Sequence, residues 1–333
     1  MKVTDEVIVE KKRVFHNDGY QGPDGGRFLI FTQKRMQYQT LGKSTLNISK
    51  IGFGCMSLKP DQKDFNDIID AAIDNGINYF DTADLYDKGL NETLLGKAFR
   101  GKRDKVIIAT KAGNQWRADG SGWDWNPRKG YILKCADESL KRLQIDCIDL
   151  YQSHGGTIED NIDETVEAYE ILVQQGKIRY YGLSSIRPNV IREFVKRSGI
   201  VSVMTQYSLL DRRPEESTLQ LLHENNIGVL VRGSVASGLL IDKPAKPYLN
   251  YNETEIADAA KAVRSVSTKQ RNSAQTAIQY VLKNTAVTSA IVGIRTLQQL
   301  KDAVQAINNS ELSEEEINIL RESVRPNFYE QHR

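Results

Sequence analysis

From Met36 onward the chain repeats one unit: a short apolar run followed by a segment with helical spacing, with about thirty residues from one run to the next. The apolar runs fall at 49–55, 79–80, 106–110, 147–152, 179–183, 201–206, 228–231 and 289–292. Between them, 64–75 places Phe65, Ile68, Ile69, Ala72 and Ile73 on one face of a helix. Asn91 reads as the N-cap of a helix carrying Leu94, Leu95 and Ala98. Further helices are predicted over 131–143, 162–175 (stopped by Gly176), 190–197 after Pro188, 217–225, 273–282 and 297–307. Eight strand–helix units without a break in composition predict a single α/β domain, a closed (β/α)8 barrel rather than an open sheet. In such a barrel, functional groups collect at the C-terminal ends of the strands.

Composition removes several alternatives. The chain is 40% hydrophobic and 26% charged, ordinary for a globular enzyme, and no apolar run is long enough to cross a bilayer. No secretory pattern opens it. The formal charge of +2 lies entirely in residues 1–35, so no basic surface is left elsewhere to suggest a nucleic-acid partner. Cys55, Cys135 and Cys147 are widely spaced and odd in number, which predicts neither a disulfide framework nor a metal site and points to a cytoplasmic protein. Residues 1–35 hold Gly19, Gly22, Gly25, Gly26 and Pro23 and lack sustained periodicity. We expect a weakly ordered extension over 1–35, with Met36 as a candidate natural start, then a barrel over 36–323 and a tail over 324–333.

Four polar residues fall at the ends of three successive strands: Asp81 with Tyr86 on the loop behind it, Lys111, and His154. A phenol titrates near 10 and is a weak acid at neutral pH unless a cation lies beside it. Lys111 supplies such a cation, Asp81 can fix it by a charge-assisted hydrogen bond, and His154 can orient a substrate oxygen. The set suits proton delivery to a carbonyl oxygen. No side chain carries hydride, so a nicotinamide cofactor is implied.

The segments Gly52-Phe53-Gly54-Cys55-Met56, Phe80-Asp81-Thr82-Ala83-Asp84-Leu85-Tyr86, Ala109-Thr110-Lys111, Asp149-Leu150-Tyr151-Gln152-Ser153-His154 and Gly182-Leu183-Ser184-Ser185 resemble the aldo-keto reductase family. The resemblance runs from about Met36 to Asn308. It implies a catalytic tetrad of Asp81, Tyr86, Lys111 and His154, with Tyr86 as general acid, NADPH as hydride donor, a small carbonyl compound as substrate and no metal. It also implies cofactor contacts at Gly54, Cys55, Met56 and Asp81, with Ser184, Ser185 and Gln206 on the nicotinamide carboxamide. Arg232, Gly233, Ser234, Val235 and Gly238 resemble the family's pyrophosphate loop, with Lys243 as a later phosphate partner. Arg232 stands where many members place an aromatic residue against the nicotinamide; a planar guanidinium can stack there too. Gly293 and Arg295 precede a helix start suited to the 2′-phosphate, with Gln299 and Asp302 beside the adenine and Ala303 in place of a family Asn.

All three tryptophans, Trp116, Trp123 and Trp125, fall in the loop 113–127 after Lys111. They read as an aromatic wall over the substrate. The segment 243–252, with Pro244, Pro247, Tyr248 and Tyr251, is expected to fold over the cofactor. Arg212 and Arg213 have no evident role in the sequence. Two rival functions keep the barrel: a cofactor-binding sensor subunit with little turnover, like channel-associated members of the family, and a Schiff-base aldolase using Lys111.

Overall fold

In the computed structural model, residues 36–333 are described, preceded by two short antiparallel strands, Tyr20–Gln21 and Arg27–Phe28. The extension expected over 1–35 otherwise lies outside the described residues.

The barrel strands are β1 (Ile51–Gly54), β2 (Tyr79–Asp81), β3 (Ile107–Ala112), β4 (Ile148–His154), β5 (Ile178–Ser184), β6 (Ser202–Gln206), β7 (Gly228–Arg232) and β8 (Val287–Gly293). All pair in parallel in chain order, and β8 closes on β1, so the predicted barrel is the one that forms. The helices are α1 (Phe65–Asp74), α2 (Leu90–Ala98), α3 (Lys129–Leu143), α4 (Ile162–Gln174), α5 (Pro188–Arg197), α6 (Thr218–Glu224), α7 (Glu253–Val266), α8 (Ser273–Leu282), α9 (Leu297–Ala306) and α10 (Glu314–Glu322). Each connection crosses from one strand to the next parallel strand, which requires a helix on the outside. Among the described residues no helix is long and apolar enough to cross a membrane.

A hairpin of Tyr38–Thr40 and Asn47–Ser49 closes the N-terminal end of the barrel. Its Leu41, Leu46 and Ile48 are fully buried against Tyr79, Ala109, Leu150, Met204, Leu230 and Ile291 from the strands. Gly42 makes this fit possible: at φ +53, an added Cβ would lie 2.3 Å from the Val201 carbonyl oxygen and 2.7 Å from the Gly228 nitrogen. Among the described residues, that end of the barrel is plugged by the chain itself.

The periodicity missed several pieces. Helices α7 and α10 went unread, although both open with a capping box, Asn252 with Glu255 and Ser313 with Glu316. The loop expected over 113–127 contains an antiparallel ribbon, Asn114–Trp116 with Trp123–Trp125. Asn91 is not an N-cap. It lies inside α2, fully buried, accepting from Thr82 Oγ1 (2.7 Å) and donating to the Cys55 carbonyl (3.0 Å). The helix starts instead after Gly89, whose φ of +85 makes the sharp entry.

Candidate active site

Strand register sets the open rim. Gly54 pairs with Asp81, Gln152 with Lys111, His154 with Ser184, Gln206 with Arg232 and Gly293 with Gly54. After β2 the chain stays tied to β3, with Thr82 N donating to Ala109 O (2.8 Å) and Asp84 N to Lys111 O (3.2 Å). That tether carries Tyr86 back over the barrel end.

Lys111 is 1% exposed. Its Nζ donates to Asp81 Oδ2 at 2.6 Å, to the Thr82 carbonyl at 2.8 Å and to Tyr86 Oη at 3.4 Å, which uses all three ammonium protons. Burial works against that charge, but Asp81 and Tyr86 outweigh it and hold the lysine above its ordinary pKa. A charged ammonium with all three protons bonded is a poor Schiff-base nucleophile, so the geometry does not favour the aldolase reading. Asp81 also accepts from Gln152 Nε2 at 3.3 Å. The sequence assigned Gln152 no role, though it stands two residues before His154 on the same face of β4.

The Tyr86 ring lies edge-on to His154, with centroids 6.1 Å apart. Burial raises the Tyr86 pKa, and the nearby ammonium recovers only part of that shift. The expected acidification is therefore incomplete in the free protein. The phenol rests protonated, as an acid must before it donates. His154 is pushed down to about 3 by burial and by the Lys111 and Arg232 charges, so its imidazole is neutral at physiological pH. Its Nδ1 is buried without a hydrogen-bond partner among the described residues.

Beneath this group a buried carboxylate secures β3 to the helices. Glu92 Oε1 accepts from Thr110 Oγ1 (2.6 Å), and its Oε2 accepts from Arg142 Nε (2.6 Å). Asp84 lies beside it, and burial together with the Glu92 charge raises its pKa to about 7.

The three tryptophans sit in different surroundings. Trp116 donates its Nε1 to the Leu85 carbonyl (3.3 Å), next to Tyr86. Trp125 donates to Asp160 Oδ2 (2.6 Å) and packs on Gly113, where an added Cβ would come within 2.1 Å of its ring. Trp123 is 48% exposed. Only Trp116 is held beside the loop that carries Tyr86.

On the other side of the rim the groups are exposed and cationic. Arg232 ends β7, Gly233 and Gly238 follow with φ of +77 and +93, and Ser234 between them is buried. Lys243 and Arg295 are exposed, and among the described residues no carboxylate pairs with either. Thr296 caps α9, and Gln299 accepts from the Arg295 backbone. Asp302 accepts from Asn272 Nδ2 and Gln298 Nε2. Ser184 and Ser185 are mostly buried at the end of β5, and Met56 lies open at the rim beside a buried Cys55.

The Aldo/keto reductase family model matches residues 50–325. The chain belongs to this family. It is 50% identical over 307 residues to the uncharacterized oxidoreductase YqkF of Bacillus subtilis, covering 90% of this chain and all of that protein. It superposes on the holo form of aldo-keto reductase AKR11C1 from Bacillus halodurans with a TM-score of 0.83 at 48% identity, covering 90% of this chain and 99% of that one. A more distant relative, aldo-keto reductase yakc [NADP(+)] of Schizosaccharomyces pombe, is 36% identical over 203 residues, 58% of this chain and 60% of that protein. The protein is therefore an oxidoreductase of the aldo-keto reductase type, and such reductases use NAD(P)H. The donor set of the β7–β8 rim fits a phosphorylated dinucleotide: exposed cations, glycine backbone that permits close approach, and a helix start.

Proposed function

We propose that the chain reduces aldehydes or ketones to alcohols, with NADPH as the donor and Tyr86 as the general acid. One observation carries the reading. A protonated phenol stands 3.4 Å from an ammonium that a buried carboxylate holds in place, beside a neutral imidazole. When bound, NADPH supplies the hydride to the carbonyl carbon. Tyr86 gives its proton to the carbonyl oxygen, and the phenolate left behind is stabilised by Lys111, whose charge then counts for most. Asp81 keeps that ammonium aimed at Tyr86. His154, being neutral, can orient the substrate oxygen without competing as a proton donor.

The chemistry of the rim supports NADPH: Arg295 at the start of α9 would meet the 2′-phosphate, and Lys243 with Gly233, Ser234 and Gly238 the pyrophosphate. Gly54, Cys55, Met56, Val235, Gly293, Gln299 and Asp302 would complete that surface, and Ser184, Ser185 and Gln206 the carboxamide end. For the substrate wall the geometry favours Trp116. The reading is tested with Tyr86→Phe, which should slow NADPH-dependent turnover of an aromatic aldehyde by about 10²–10⁴-fold while NADPH still binds. Turnover at the wild-type rate would end the assignment of Tyr86.

A further inference from the structure

Arg212-Arg213 had no role in the sequence, and the structure gives the second of them one. Asp211 is fully buried, and its carboxylate accepts from Arg213 Nε (2.7 Å) and Nη2 (2.8 Å). The same carboxylate accepts from Gln206 Nε2 at 2.8 Å. Gln206 ends β6, and its Oε1 accepts from Arg232 Nη1 at 2.8 Å. The second Nε2 proton of Gln206 goes to Tyr248 Oη at 3.0 Å, on the segment expected to cover the cofactor. Arg213 in turn lies 5.1 Å over the ring of Tyr329 in the tail.

The orientation of the Gln206 amide follows from chemistry alone. A carboxylate can only accept and a guanidinium can only donate, so the NH2 must face Asp211 and the carbonyl must face Arg232. Both amide protons are then spent. The capacity left to Gln206 is the second lone pair of Oε1, on the rim side with Arg232.

We propose that Asp211 and Arg213 are positioning residues for the nicotinamide end of the site: Asp211 locks the Gln206 amide with its carbonyl toward Arg232 and the rim, and Arg213 holds the Asp211 side chain in place. The inference rests on the NADPH reading above. Asp211 Oδ2 accepts from both Gln206 Nε2 and Arg213 Nη2, and Oδ1 accepts from Arg213 Nε. Replacing Asp211 by Asn keeps the shape, but either placement of the new amide sets its NH2 against an Arg213 donor, which loosens the anchor that holds the Gln206 amide.

The test is binding by calorimetry of NADPH and of 2′,5′-ADP, which carries the adenine end without the nicotinamide, with a thermal melt of each variant. Asp211→Asn and Arg213→Gln should each raise the Kd for NADPH roughly ten-fold and leave that for 2′,5′-ADP unchanged. Gln206→Ala should give the same pattern, and adding Asp211→Asn to it should cost nothing more, because the two act through one amide. If Asp211→Asn does not fold, Arg213→Gln carries the test. Parallel weakening of both ligands, additive losses in the double variant, or an unchanged NADPH affinity would each overturn the proposal. A wild type that binds neither ligand would instead remove the NADPH reading beneath it.

Discussion

Lys111 and Arg232 stand across the same barrel mouth and hold their charge in opposite ways. Lys111 is sealed from water and bonded to a carboxylate, a carbonyl and a phenol. Arg232 is exposed and makes one bond to an amide. The same division separates the two halves of the rim. From β2 to β4 the charges are buried and bonded to groups of the protein itself. From β7 to β8 they are exposed, and Lys243 and Arg295 lack a carboxylate partner among the described residues. A charge that the fold has neutralised can tune a neighbouring proton. One left open at the surface is suited to an anion that arrives from solution.

The comparison predicts which half governs chemistry and which governs binding. Tyr86→Phe should lower kcat by about 10²–10⁴-fold, the usual share of a general acid, with little change in the Kd for NADPH. Stopped-flow single turnover would check it; a matched loss of cofactor affinity would blur the division. Lys111→Met strands the Asp81 carboxylate in the interior and should destabilise the fold by about 3–5 kcal/mol as well as slow turnover. The double variant Asp81→Asn/Lys111→Met should recover most of the stability and none of the rate. Chemical denaturation separates the two effects, and an unchanged melt for the single variant would mean that water reaches the pair.

This division was only half legible in the sequence. Asp81, Tyr86, Lys111 and His154 could be placed because each strand ends where its apolar run breaks, and a closed barrel brings all such ends to one rim. The contacts that lock Gln206 were not legible. Asp211, Arg213 and Tyr248 come from loops whose course no periodicity encodes, and their pairing depends on which way one amide points. The surroundings of the tryptophans were hidden for another reason. Their concentration in one loop was real, but whether an indole faces ligand or protein depends on what can approach it. Gly113, Gly155 and Gly156 leave the space that Trp125 fills. The net rise in the Tyr86 pKa was also hidden, because burial is a property of the folded loop and not of the residue list.

On the exposed half, Arg295→Ala should weaken NADPH binding roughly 10–100-fold and leave NADH nearly untouched, since the charge would be answered only by the 2′-phosphate. The melting temperature should not move, because among the described residues no group is bonded to that guanidinium. Equal losses for both cofactors would assign Arg295 to the pyrophosphate, and no loss would leave it a solvated cation.

The smallest expected effect lies on the buried half, at the carboxyl of Asp84. Asp84 titrates at about 7 in the folded protein against an ordinary value of 3.8, with burial and Glu92 raising it and Arg142 only partly opposing them. The folded state therefore keeps a proton that the unfolded chain has shed between these two values. Its contribution is intact below pH 3.8 and is lost progressively as pH climbs to about 7, after which it stays lost. Asp84→Asn cannot ionise, so the variant should gain on the wild type across that window and hold the gain at higher pH. Allowing for the residue's partial exposure, the plateau should be about 1–2 kcal/mol. Urea denaturation at pH 5 and pH 8 reads the difference directly. A gain at pH 8 no larger than at pH 5 would mean that the charge on Asp84 is already compensated inside the fold.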